Sequence, residues 1–233
     1  MQLRPLGESA WLVYLPDEPA AARLADRVRS AAPPWLEDVV PAYASVGVFF
    51  DADRVSLVSV ADWIRSVGHA LRDVSVTQSV TYENDPVIPI PVYYERGPDL
   101  PAVAERLHLT AEAVVAAHVG AVFTVHAIGF VPGFPYMGYL PEALCGVPRL
   151  ASPRTRVEPG CVGITGRQTG VYPLARPGGW PLIGRTPLLL VDVAEGFFPL
   201  RVGDHISFTR IDETEYHRLH GERLGRPVGP VPS

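Results

Sequence analysis

The sequence predicts an α+β protein, a small α/β sandwich followed by an all-β barrel or sandwich. Three observations predict it. In the first third, apolar segments follow the order strand–helix–strand–strand–helix, the layout of a split βαβ sandwich. Beyond Ala121, short apolar runs are broken by Gly and Pro, the texture of a small barrel. Between the two, the polar stretch Glu83–Pro86 ends in proline and reads as a domain boundary. The expected division is therefore 1–85 for the sandwich, 86–225 for the barrel and 226–233 for a frayed Pro/Gly-rich tail.

Each element follows from its spacing. Ala10–Leu15 is a short apolar strand, and Pro19–Ser30 carries Leu24 and Val28 at helical spacing. Val39–Tyr43 and Val46–Phe50 are two apolar runs across a small-residue joint, a hairpin. Val60–Leu71 is helical, with Ile64, Val67 and Leu71 on one face, and Val74–Tyr82 supplies a last strand. Val87–Tyr94 alternates but holds Pro89 and Pro91, which suits an edge strand or a β-like linker. Asp99–Leu107 and Thr110–His118 are short helices, the second with Thr110 as N-cap. Val122–Phe130, Cys161–Thr165, Leu188–Val193 and His205–Arg210 are the strands of the β region, and Glu213–Leu219 is a closing helical turn.

Composition narrows the chemistry. With 47% hydrophobic and 19% charged residues, the 233-residue chain is globular. Its net charge of −5 and lack of a basic block argue against nucleic acid or an anionic membrane surface as partner. No long apolar run or signal peptide is evident, and a cytoplasmic protein is the expectation. All 20 basic residues are Arg. A Schiff-base lysine and a Walker A lysine are therefore excluded, and any cationic contact to phosphate or carboxylate falls to Arg or protonated His. Cys145 and Cys161 form no CxxC pair, so neither a zinc site nor a disulfide framework is expected.

Two segments carry the unusual chemistry. Gly129-Phe-Val-Pro-Gly-Phe-Pro-Tyr-Met-Gly-Tyr-Leu-Pro141 fixes a loop whose Phe130, Pro132, Gly133, Phe134 and Tyr136 either plug one end of the barrel or wall an apolar ligand pocket. The second runs from Pro153 through Pro177-Gly-Gly-Trp180 to Ile183-Gly-Arg-Thr-Pro187. Its glycines, among them Gly163, Gly166, Gly178 and Gly179, allow close backbone approach to a ligand or serve tight β-turns. Arg154, Gln168, Thr169, Tyr172 and Trp180 lie between or beside them, and the polar members offer donors to a carboxylate or phosphate. His118 ends a helix, where its charge suits the dipole, and reads as structural. No pair of carboxylates has acid–base spacing, which points to a subunit or binding module.

The segments GFVPGFPYMGYLP, PRTRVEPGCVGITGRQTGVYP, PGGW and IGRTP, with the closing Val202-Gly-Asp-His-Ile-Ser-Phe208, resemble the B-subunit family of 5-oxoprolinase. That family is also labelled allophanate hydrolase subunit 1 and includes a sporulation histidine-kinase inhibitor. The resemblance implies a ferredoxin-like N-terminal domain and a cyclophilin-like C-terminal β-barrel. It implies a C-subunit partner, a chain like allophanate hydrolase subunit 2, with an A subunit to complete the enzyme. It implies ATP, with Mg, at a site that a partner could share. It implies ATP-dependent opening of 5-oxoproline to glutamate by the complex, the chain being inactive alone. A urea-derived amide as substrate, or inhibition of a sensor kinase, are the alternatives within the same resemblance. His118 falls where the family has a histidine before the aromatic loop, and so joins the substrate- or nucleotide-binding candidates.

Overall fold

Alternating apolar residues in β2 (Ala10–Tyr14) and β4 (Ser45–Phe50) make the two central strands of the first sheet. In the computed structural model, which describes residues 1–69 and 86–226, β1 (Gln2–Pro5) and β3 (Leu36–Ala42) flank them in the order β1-β2-β4-β3, all antiparallel. Val13, Val46, Val48 and Phe50 face the helices and are fully buried. Helix α1 (Glu18–Ala31) starts where Asp17 accepts from Ala20 N at 2.8 Å, and ends at Ala32 in a left-handed conformation, φ 37°. Its Leu24 and Val28 are fully buried, and each such side chain contributes about 1.5–3 kcal/mol. Helix α2 (Leu57–His69) follows Ser56, whose Oγ accepts from Ser59 N at 3.1 Å.

The expected strand, helix and hairpin are thus present. β1 is not expected from the sequence: Arg4 and Pro5 hide it, yet they suit its place at the sheet edge. The strand expected at 74–82 and the end of the helix expected to reach Leu71 lie outside the described residues.

The chain divides into two units, Met1–Asn84 and Asp85–Ser233. The second is built on a seven-stranded sheet. Its strands are β5 (Val87–Val92), β6 (Val122–Ile128), β7 (Pro135–Gly138), β9 (Cys161–Thr165), β10 (Gln168–Val171), β12 (Leu182–Arg185) and β13 (His205–Arg210). The order is β12-β9-β10-β7-β6-β13-β5. β5 lies parallel to β13 at one end, where Pro89 and Pro91, lacking N–H groups, leave no donor unmet. Just past β5, Tyr93 N donates to Arg185 O at 2.9 Å and Arg185 N donates back to Tyr93 O at 3.1 Å. This bridge joins the two ends of the sheet and nearly closes it into a barrel. A ribbon of β8 (Arg154–Val157) and β11 (Arg176–Gly178) stands apart from the seven strands.

The barrel interior is mostly apolar: Ile90, Phe123, Val125, Met137, Val162, Ile164, Val171, Ile183, Ile206 and Phe208 fill it around a small polar group of His118 and Thr169. Helices α3 (Leu100–Arg106) and α4 (Ala111–Val119) add Val103 and Val114 to the same core, and Thr110 caps α4 by accepting from Ala113 N at 3.1 Å. Helix α5 (Glu213–Arg218) closes the described chain, capped by Asp212.

Three expectations change. Leu188–Val193 is not a strand; Leu189 and Asp192 make only isolated bridges, to Arg223 and Phe197. The first β-region strand ends at Ile128, short of Phe130, because Phe130 takes φ 66°. The aromatic loop is part strand, since Pro135–Gly138 pairs with both β6 and β10.

Candidate functional site

Alternation in β7, β9, β10 and β12 gives the sheet a second buried face, opposite the barrel core. Met137, Val162, Ile164, Val171 and Ile183 point into the barrel, while Phe134, Cys161, Tyr172, Leu182 and Trp180 gather on the other side. The two unusual sequence segments meet here. Phe134, 1% exposed, is the centre. Its ring meets those of Tyr136, Tyr172, Trp180 and Phe130 at centroid distances of 4.9, 5.1, 5.6 and 5.6 Å, each edge to face. Phe134 and Tyr136 thus belong to a wall on the outer face of the sheet, separate from the core that fills the barrel, while Tyr139 lies apart from it beside His126. Phe130 is 59% exposed and carries that wall to the surface, next to the exposed Pro132. Burial pushes the phenols of Tyr136 and Tyr172 up, and nearby Arg149 opposes the rise in both.

The glycines seat this wall. A Cβ on Gly170 would stand 2.8 Å from Phe134 Cζ, and one on Gly178 would stand 2.5 Å from the Tyr172 hydroxyl. A Cβ on Gly163 would meet Trp180 Cβ at 3.1 Å, and Gly179 O accepts from Leu150 N at 2.7 Å beside Pro153. Gly133 takes φ 75° with Val191 against it, and Gly166 takes φ 59° in the turn between β9 and β10. At Gly170 and Gly178 the close approach is made by aromatic rings of the chain itself.

Next to the wall lies a surface cavity of about 410 Å³, lined by Arg96, Pro98, Arg154, Arg156, Val157, Glu158, Cys161, Leu182 and Arg185. Val157, Cys161 and Leu182 belong to both cavity and wall, so the two form one continuous surface. Four arginines face one glutamate in a chain whose net charge is −5. Arg154 donates through Nη2 to Asp99 Oδ1 at 2.7 Å, and Asp99 Oδ2 accepts from Leu182 N at 2.6 Å. Arg156 grips Glu158 through Nε at 2.6 Å, which holds that carboxyl below the usual range. Arg185 Nε donates to Pro159 O at 2.9 Å, and the Arg96 guanidinium lies 4.5 Å from the Tyr216 ring centroid. Burial pushes the Cys161 thiol up. Of the cavity residues, the sequence offers Arg154 and Arg185 as donors to an anion, with specificity not rested on Arg185. Arg185 stands in one of the motifs above, whereas Arg96 and Asp99 give no local signal.

His118 and Thr169 are elsewhere, inside the barrel. His118 is fully buried, stacked on Phe208 at 4.4 Å. Its Nδ1 lies 2.7 Å from the Tyr94 hydroxyl and its Nε2 3.0 Å from Thr169 Oγ1. Thr169 Oγ1 in turn donates to Gly163 O at 3.2 Å. That last bond uses the threonine proton, so Nε2–H donates to Thr169 and Nδ1 accepts from Tyr94, an assignment that makes the ring neutral. Burial agrees, lowering the His118 pKa to about 3. This places both residues in core architecture; the charge expected of His118 at the helix end is not carried, because burial keeps the ring neutral. Gln168 sits at the start of β10, paired with Gly138 and Thr165, in the hairpin where Arg167 covers the Tyr139 ring at 4.4 Å.

Among the described residues, no cluster of His, Cys, Asp or Glu could hold a metal ion, and no helix is long and apolar enough to cross a membrane. The family model for the carboxyltransferase domain, subdomain C and D, matches residues 1–196. The 5-oxoprolinase B subunit of Bacillus subtilis (strain 168) is 36% identical over 238 positions, spanning 95% of this chain and 97% of that protein. A crystal structure of TTHA0988 superposes with TM-score 0.74 at 33% identity, covering 94% of this chain and 41% of that one. The urea carboxylase of Kluyveromyces lactis superposes with TM-score 0.70 at 18% identity, covering 93% of this chain and 22% of that one, a likeness of fold. The chain thus spans less than half the length of either solved structure. With most of its length matched by the family model and a curated relative aligned nearly end to end, the chain belongs to the carboxyltransferase subdomain C and D family, alongside the 5-oxoprolinase B subunit.

Proposed function

We propose that this chain is one subunit of a heteromeric, ATP-dependent amidohydrolase that opens 5-oxoproline to glutamate. The observation that carries the reading is the near full-length relationship to the 5-oxoprolinase B subunit of Bacillus subtilis. The site supports a subunit role. Its carboxylates are engaged, Glu158 by Arg156 and Asp99 by Arg154 and Leu182 N, and its one histidine candidate is a buried neutral ring. What the surface offers is recognition: an aromatic wall ending in exposed Phe130, and arginines beside it. A C-subunit chain, with an A subunit completing the enzyme, supplies the acid–base groups. ATP supplies the phosphoryl group that makes the poorly electrophilic amide reactive. This chain's arginines hold and orient anionic groups.

The test is 5-oxoproline-dependent ATP hydrolysis and glutamate release, measured with the chain alone and with its C and A partner subunits. Glutamate release in the full mixture, and none from the chain alone, is the expected result. No release from any mixture, despite a stable complex, would remove the assignment.

A further inference from the structure

We propose that the arginine-lined cavity beside the aromatic wall is a binding site for a phosphoryl dianion. The inference deepens the function proposed above and rests on it only for where the phosphoryl group comes from. The charges decide the ligand class. Two of the four arginines are neutralised in place, Arg156 by Glu158 and Arg154 by Asp99. The other two, Arg96 and Arg185, form no ion pair among the described residues; Arg185 gives Nε to a backbone carbonyl, and Arg96 lies on an aromatic ring. Four guanidinium groups against the two carboxylates of Glu158 and Asp99, with Arg185 also within electrostatic reach of Glu158, leave two positive charges in excess, which match a group carrying about −1.5 to −2 charge, as a phosphate does near neutrality. A monocarboxylate would leave one of them unmatched.

A third donor is waiting. Arg154 Nη1 is buried without a hydrogen-bond partner among the described residues, although Nη2 of the same guanidinium is held by Asp99. A buried donor left unmet is costly, and an anion drawn to the cavity would relieve that cost only with a small shift of the Arg154 guanidinium that opens Nη1 to it. Asp99 fixes the fork, because its second oxygen is anchored on Leu182 N. Arg185 is fixed through Pro159 O and through the backbone bridge to Tyr93, which also carries the chain on to Arg96. Donors held this firmly lose little freedom on binding an anion. The cavity volume of about 410 Å³ is ample for a phosphate group.

The experiment is a calorimetric titration of the full chain with inorganic phosphate at low ionic strength. Variants Arg96→Gln and Arg185→Gln are compared with Arg106→Gln, an exposed arginine of α3 away from the cavity. The expected result is saturable binding, weakened about tenfold or more by each cavity variant and unchanged by Arg106→Gln. Arg96 is exposed, so its variant keeps the test valid if Arg185→Gln misfolds. Absence of saturable phosphate binding would overturn the proposal. So would binding that ignores both cavity variants, or tighter binding of 5-oxoproline with the same variant sensitivity. Competition by ATP would assign the phosphoryl group to nucleotide; phosphate binding without it would assign the group to a phosphorylated amide, and either upholds the site. The titration needs no partner, so its failure is separate from failure of the reconstituted activity.

Discussion

Arg154 and Asp99 join two elements that the sequence keeps far apart: Nη2 of the β8 arginine donates to Oδ1 of the aspartate that opens α3, at 2.7 Å. Asp99 Oδ2 meanwhile holds Leu182 N in β12, so one carboxylate ties ribbon, helix and barrel together. Asp99→Ala leaves a half-buried guanidinium and a backbone N–H without an acceptor. The expected loss is about 2–3 kcal/mol in urea unfolding of the full chain, with Asp99→Asn losing less. Equal stability of Asp99→Ala and the parent would show that solvent satisfies both donors.

His118 gives the protein a pH dependence of known sign. Its folded-state pKa, lowered to about 3 by burial, lies below the ordinary value of 6.5. Between those values the unfolded chain binds the proton and the folded chain does not. The stability contribution is therefore complete above about 6.5 and declines as pH falls, by up to about 1.4 kcal/mol per unit. Urea midpoints at about pH 7 and about pH 5 should differ more in the parent than in His118→Phe. The variant will start lower, because it leaves the buried Tyr94 hydroxyl without its acceptor, while Thr169 keeps its bond to Gly163 O. An unchanged slope in His118→Phe would assign the effect to other groups.

The strands β9 and β13 were legible to the residue, because apolar runs at Cys161–Thr165 and His205–Arg210 are bounded by turn residues. Helix α4 was legible from its threonine cap. Local pattern failed where pairing is decided from a distance. Leu188–Val193 is as apolar as a strand, yet past Thr186–Pro187 its backbone finds Glu222 and Leu224 in place of a sheet partner. The aromatic wall was visible as a concentration of rings, but its place on the barrel flank depends on the alternation of β7 and β10, which a Pro/Gly-rich stretch conceals. The arginine cavity was least legible. Arg96 and Arg185 belong together only because Tyr93 pairs with Arg185 to close the sheet, a contact with no local signature.

The glycines of β10 and β11 are set by the rings packed on them. A Cβ on Gly170 meets Phe134 Cζ at 2.8 Å and the Pro135 carbonyl oxygen at 2.9 Å, and the ring is too enclosed to give way. Gly170→Ala should therefore cost about 1–3 kcal/mol and alter the near-ultraviolet dichroism of the Phe134–Trp180 cluster. Gly129→Ala is the matched control, since a Cβ there meets nothing within 4 Å. Its effect should stay within about 0.5 kcal/mol. Similar losses for both would mean that backbone freedom, and not ring packing, sets the requirement at Gly170.

Phe130 separates stability from assembly. It is 59% exposed, yet its ring stands edge-on to Phe134 and Tyr172, so the surface keeps an apolar extension of a buried cluster. It does so at φ 66°, where a bulky side chain is disfavoured. An exposed aromatic continuous with a buried cluster is suited to anchoring a partner, and the prediction is that it contributes to binding of the proposed C subunit. Phe130→Gly relieves the backbone strain while removing the ring, so folding stability should change by no more than about 1 kcal/mol in either direction. Complex formation with the C subunit, followed by sedimentation velocity, should weaken about tenfold or more if the ring is an anchor of the interface. Retained affinity together with a large loss of stability would return Phe130 to a purely structural role, sealing Phe134 from water.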